Sequence, residues 1–173
     1  MGLVEIRWGQ GVFVRSTDLD EVLEQLAPLM LGEASVGQLY EIRRLLEGAA
    51  AGWAAERAGE AERAGLRALT EQAEASRDRL TVDAEWAREL DRRYHNEIAA
   101  LSHNPVLLRI MVSLLDLLGE LRQRSFAVPG RALDSLAEHR RITDAVAAGD
   151  AAAARARMLE HLEKAEAAVR RGL

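Results

Sequence analysis

Asp91, His95, His139 and His161 are the residues whose types and spacing could do chemistry in this chain. Asp91 and His95 stand four apart in a segment of helical pattern, so both project from one helix face. His139 lies ten residues before Gly149 and His161 eleven after Asp150, and Gly149-Asp150 is a turn signal. If two helices fold back on each other there, each His stands about 15 Å from the turn, and the imidazoles lie side by side. Three imidazoles and a carboxylate are a plausible ligand set for a divalent transition metal. Zinc is the first expectation, with nickel, iron or manganese also compatible.

A plainer reading stands beside this one, because an Asp/His pair at that spacing also arises by chance on solvated helices. The neighbours favour an inward orientation: Leu90, Tyr94 and Ile98 around the first pair, Leu136 and Ile142 around His139, Met158 and Leu162 around His161. Burying unpartnered imidazoles is costly, and a shared cation resolves that cost. Spacing alone leaves both readings open. The fourth histidine, His103, sits beside Asn104-Pro105 at a helix end, where a partly exposed cation suits the helix dipole. It is expected to be structural or merely exposed.

The elements that must position these groups are helical. At 173 residues the chain is long enough to bury a core without staples. It contains no cysteine, which excludes disulfides, zinc–thiolate sites and thiol catalysis. A net charge of −5 argues against coating nucleic acid or an anionic membrane by charge alone. No apolar run reaches the roughly 18 residues of a membrane span, and Glu5 and Arg7 do not suit a signal peptide. A cytoplasmic protein is the expectation.

Leu3 to Val14 reads as strand, turn, strand around Gly9-Gln10-Gly11. From Asp18 onward Ala, Leu, Glu and Arg dominate, all strong helix formers. Helices are predicted over about 19–31, 36–58, 60–80, 82–101, 105–124, 132–148 and 151–171, with Ser35, Asp83 or Thr81, and Asn104-Pro105 as start signals. The predicted apolar face of the 36–58 helix carries Leu39, Ile42, Leu45, Leu46, Ala49 and Trp53. The 105–124 helix is the most apolar, which suits a central helix or one shared between core and partner. Ser125 to Arg131, with Pro129-Gly130, reads as a loop. The fold class is therefore all-α: an antiparallel bundle of six to seven helices with a short N-terminal β-hairpin.

Several motifs together resemble the FCD ligand-binding domain of FadR-type regulators in the GntR superfamily. The run Leu39-Tyr40-Glu41-Ile42-Arg43-Arg44-Leu45-Leu46-Glu47, then Ala54-Ala55, resembles its opening helix. Asp91-Arg92-Arg93-Tyr94-His95 resembles its D-x-x-F-H motif, with Tyr94 replacing Phe, and Asn104-Pro105-Val106-Leu107 resembles the N-P-x-L that follows. Glu138-His139-Arg140-Arg141-Ile142, Ala148-Gly149-Asp150, Ala154 and Met158-Leu159-Glu160-His161-Leu162 resemble its C-terminal signature. The resemblance implies a helical sensor of small organic acids, usually a homodimer. It implies a metal held by the Asp and three His matched here by Asp91, His95, His139 and His161. It also implies an effector carboxylate bound at that metal and by Arg43, with Arg44 as the alternative. Residues 1–17 resemble the wing of a winged helix-turn-helix, 18–35 a linker helix and loop, and 36–173 the effector-binding domain. The two helices that should precede the wing are absent from the chain, so DNA binding is expected only through that missing N-terminal region.

The leading functional expectation is thus the effector-binding and dimerisation part of a transcription regulator, and not an enzyme. The alternative is a mononuclear metalloenzyme on a helical bundle. Di-iron chemistry is disfavoured, because no His has a Glu three residues before it, and no general base for a hydrolase stands out. A bundle that binds partners and no ligand is the third reading.

Overall fold

The computed structural model describes residues 4–14 and 36–171, which fall in two compact units, 1–35 and 36–173. The first unit holds an antiparallel hairpin of β1 (Val4–Arg7) and β2 (Gly11–Val14), in register Val4 to Val14. Its turn needs backbone at positive φ, supplied by Gly9 at 79° and Gly11 at 112°. The helix predicted over 19–31 and the Ser35 cap lie outside the described residues.

The second unit is all helix: α1 (Val36–Arg57), α2 (Glu60–Ala75), α3 (Arg77–Val82), α4 (Ala84–Leu101), α5 (Pro105–Leu117), α6 (Gly119–Phe126), α7 (Arg131–Ala147) and α8 (Ala151–Arg171). The predicted start signals at Asp83 and Asn104 do their work. Asp83 accepts from the Trp86 amide at 2.9 Å, and Asn104 Oδ1 accepts from Val106 and Leu107 at 3.1 Å each, with Pro105 in the first turn. Two predicted helices are each broken in two. The 60–80 segment breaks at Ser76, a residue that caps both flanking helices. The 105–124 segment breaks at Leu118, before Gly119, and Ser125 and Phe126, expected in a loop, complete α6.

The expected apolar face of α1 is corrected in part: Leu46 and Trp53 pack against the core, but the face turns away from Ile42 and Leu45. The buried stripe carries Tyr40, Arg43, Glu47, Ala50, Ala51, Ala54 and Ala55, whereas Ile42 and Leu45 are 48% and 63% exposed. The polar members of the stripe are paired, Arg43 Nε donating to Glu47 Oε1 at 2.6 Å, so they can face inward at tolerable cost. The α1 helix packs most extensively on α8, where small residues allow close approach; a Cβ on Gly48 would stand 3.2 Å from Leu159 Cδ2. The α5 helix is one-sided, with Leu107, Met111 and Leu115 buried and Val106 and Ile110 exposed. No helix among the described residues is long and apolar enough to cross a membrane.

Candidate metal centre

The α7–α8 turn follows directly from Gly149-Asp150. Gly149, at φ 72°, donates to the Val146 carbonyl and Asp150 to that of Ala145, each at 3.0 Å, which ends α7 in a Schellman motif. Asp150 Oδ1 then accepts from the Ala153 amide at 2.9 Å and caps α8. The helices fold back, and the His139 and His161 rings come to 4.8 Å between centroids. From the other side α4 supplies Asp91 and His95 on one face. One ligand atom from each of the four residues lies within 4.8 Å of every other, and all four residues are buried.

His161 Nε2 is 3.2 Å from His95 Nε2. Asp91 Oδ1 is 3.4 Å from His139 Nε2 and 3.6 Å from His95 Nε2. Donors bound tetrahedrally at about 2.1 Å from a zinc ion stand about 3.4 Å apart. The observed spacings therefore suit such an ion. The outer faces of two rings are backed by carboxylates that escaped the sequence reading. Glu47 Oε2 is 2.5 Å from His95 Nδ1, and Glu138 Oε2 is 2.8 Å from His161 Nδ1. A carboxylate at Nδ1 favours the tautomer protonated there and turns the Nε2 lone pair inward. Tyr94 stacks on His139 at 3.9 Å and 15°, and its hydroxyl donates to the His139 carbonyl at 3.0 Å, fixing that ring's position.

The electrostatics keep the acids ionised. Burial pushes the Asp91 carboxyl up, but Arg122 and the histidines outweigh it and hold it well below its usual range. Arg122 donates to Asp91 Oδ2 from two nitrogens, at 2.7 and 3.1 Å, leaving Oδ1 to the histidines and to the Ser135 hydroxyl at 3.2 Å. Glu47 and Glu138 are both held down to about 2: against burial, Arg43 and His95 act on the first, His161 and Arg131 on the second. Burial lowers His139 and His161, whereas the Glu47 and Asp91 carboxylates overcome burial to raise His95. The pocket holds imidazole nitrogens and an ionised oxygen, with no sulfur.

Beside Asp91 and His161 lies a small cavity lined by three buried arginines, Arg43, Arg122 and Arg131. Arg43 was the arginine matched by sequence. Arg122 and Arg131 were missed, and nothing in their local pattern marks them apart from other arginines. Arg131 donates to Glu138 at 2.8 Å, yet its Nε and Nη1 are buried without a hydrogen-bond partner. Arg44, the alternative to Arg43, pairs instead with Glu166 at 2.7 Å. His103, at positive φ, meets Glu62 at 3.0 Å on the surface, far from this chemistry.

Comparison with known proteins gives this geometry its setting. The FCD domain matches residues 38–164. The chain is 34% identical over 173 residues to the HTH-type transcriptional regulator LutR of Bacillus subtilis (strain 168), covering 96% of this chain and 77% of that protein. It is 31% identical over 170 residues to the putative L-lactate dehydrogenase operon regulatory protein of Escherichia coli (strain K12), covering 93% of this chain and 64% of that protein. Among solved structures, Streptococcus agalactiae GntR superposes with a TM-score of 0.65 at 22% identity, over 96% of this chain and 75% of that one, a likeness of fold. These relatives are regulators and not enzymes. The chain belongs to the FCD-domain family of GntR-type transcription regulators.

Proposed function

We propose that the helical unit is the effector-binding part of a metabolite-responsive regulator, with a divalent transition metal at Asp91, His95, His139 and His161 and a small organic acid sensed beside it. One observation carries this: four buried ligand atoms from three helices within 4.8 Å of one another. Zinc is the first choice for the ion, with nickel, iron or manganese compatible with the same donors. When bound, the ion offers open coordination positions to a carboxylate oxygen. The chain's own contribution is the arginine-lined cavity. Arg43, Arg122 and Arg131 supply guanidinium donors, and the unpartnered nitrogens of Arg131 favour an anion there. At about 10 Å³ the space takes about one water-sized group, so a carboxylate enters as these side chains move apart. The name of the Escherichia coli relative, a putative regulator of an L-lactate dehydrogenase operon, makes L-lactate the first effector to try.

The remaining assignments rest on the same reading. Residues 1–17 are proposed as the wing of a DNA-reading module, 18–35 as the linker and 36–173 as the sensor, working as a homodimer. DNA is bound through the helix-turn-helix to which such a wing belongs.

The test is calorimetric titration of L-lactate and acetate into zinc-loaded protein. Arg43→Ala is expected to weaken binding about tenfold to hundredfold, the value of a charged hydrogen bond, with the zinc content unchanged. Equal affinity in both proteins refutes the role of Arg43. Metal-loaded protein that binds no small carboxylate refutes the sensing function.

A further inference from the structure

A second cavity meets the candidate metal centre from the side of Asp91 and His139. Its lining is mostly apolar, including Ala73 from α2, Leu80 from α3, Ala87 from α4 and Phe126 from α6, with Thr70, Asp91, Tyr94, Ser135 and His139 as its polar members. Its apolar wall is a separate core cluster, formed by Ala73, Leu80, Ala87, Leu90 and Leu136 and distinct from the main core. The short helix α3, set off by the break at Ser76, places Leu80 over this space. Ala87 lies one helical turn before Asp91 on the same face, and both line the cavity.

The two cavities are continuous in their residues. Asp91, Ser135 and Phe126 line both the apolar cavity and the arginine cavity. A group bound at the centre therefore has cationic donors on one side and hydrocarbon on the other. The apolar space holds about 30 Å³, room for about two water-sized groups. The hydrocarbon part of such a lining favours an apolar group over water. Three of its lining residues, Ala73, Ala87 and Ala132, are alanines, so space that a larger side chain would fill is left open.

We infer that this cavity is a subsite for the aliphatic substituent of the effector, so that the preferred ligand is a monocarboxylate carrying, beyond its α-carbon, an apolar tail of about two carbons. The inference rests on the proposed sensing of a carboxylate at the metal, and deepens it by naming what the acid carries. The carboxylate faces the arginines and the tail passes Asp91 toward Leu80 and Ala87. A second charge on the tail is disfavoured, because no lysine or arginine lines this cavity.

The test is titration of zinc-loaded protein with acetate, propionate, butyrate, hexanoate and succinate. Affinity is expected to rise about fourfold per methylene from acetate to butyrate, the usual return on burying a CH₂, and then to level or fall at hexanoate. Succinate is expected to bind no better than acetate. Ala87→Leu fills the cavity and should bring the butyrate-to-acetate affinity ratio close to one. Leu80→Ala enlarges it and should move the optimum to a longer chain. Acetate binding with a flat or falling series overturns the subsite while leaving the sensing function standing. Failure of metal-loaded protein to bind any of these acids overturns both. A butyrate preference undiminished in Ala87→Leu and a chain-length optimum unmoved in Leu80→Ala place the tail elsewhere.

Discussion

Glu138 shows how individual residues divide the work at the centre. It accepts from Arg131 and faces His161 Nδ1, both at 2.8 Å, so one buried carboxylate orients a candidate ligand and holds an arginine of the neighbouring cavity. Glu138→Gln keeps the shape and removes the charge. Losing such an outer partner is expected to weaken zinc binding about tenfold to hundredfold, measurable by competition with a chelator of known affinity. Unchanged zinc affinity would show that Glu138 does not tune His161. The four candidate ligands were legible because histidine is scarce in this chain: His95 stands four residues after Asp91, and His139 and His161 lie at matching distances on either side of one turn. Glu47 and Glu138 were not. Aspartate and glutamate together number 28, and nothing in their types separates a buried carboxylate from a solvated one. A signal existed only in hindsight for Glu47, which completes an i, i+4 pair with Arg43 along the stripe that α1 turns inward.

Among the elements, α1 departs most from what its sequence suggested. Periodicity favoured the stripe through Ile42 and Leu45, but the helix buries Arg43 and Glu47 and exposes those apolar residues. Hydrophobic patterning assumes an apolar interior, and here the interior of the bundle is polar where the site lies. The breaks at Ser76 and Leu118 were missed for different reasons. Around Ser76 the flanking residues are good helix formers, and tertiary packing redirects the chain where propensity would continue it, whereas at Leu118 the following Gly119, a poor helix former, was a signal left unread. The first half of α1 is tied to α8 by Arg44 and Glu166, with Arg170 on the same carboxylate at 2.6 Å. Burial raises the Glu166 carboxyl, but the two arginines outweigh it and hold it below its ordinary value of 4.5. The pairing therefore stabilises the fold above about pH 4.5 and is lost as pH falls through the depressed folded value. Glu166→Gln should cost about 1 kcal/mol or less near pH 7, or about 2–4 °C in Tm. That difference should shrink below pH 4.5. A gap that persists undiminished at pH 3 would place the effect elsewhere than in the ion pair.

On the scale of the whole molecule, the all-α bundle was legible from composition, caps and the Gly149-Asp150 turn, whereas the order in which helices meet was not. Nothing local places α1 against α8, yet that contact and the α7–α8 turn carry the site. A continuous run of polar contacts loops through the helical unit, its two ends meeting at the arginine cavity. It passes from Arg43 through Glu47 to His95, then to His161, Glu138 and Arg131, and so links α1, α4, α8 and α7. An effector engaging Arg43 and Arg131 in that cavity would act on helices far apart in the chain. This is the physical basis for reading the unit as a sensor whose ligand biases its conformation. All of it depends on the ion. The most direct test is the metal content of protein purified without chelator, wild type beside His161→Ala. The account predicts close to one divalent transition metal ion per wild-type chain and almost none in the variant, with the helical circular-dichroism signal largely preserved. Wild-type stoichiometry well below one that does not rise on adding zinc, nickel or manganese, or equal metal content in the two proteins, would contradict it.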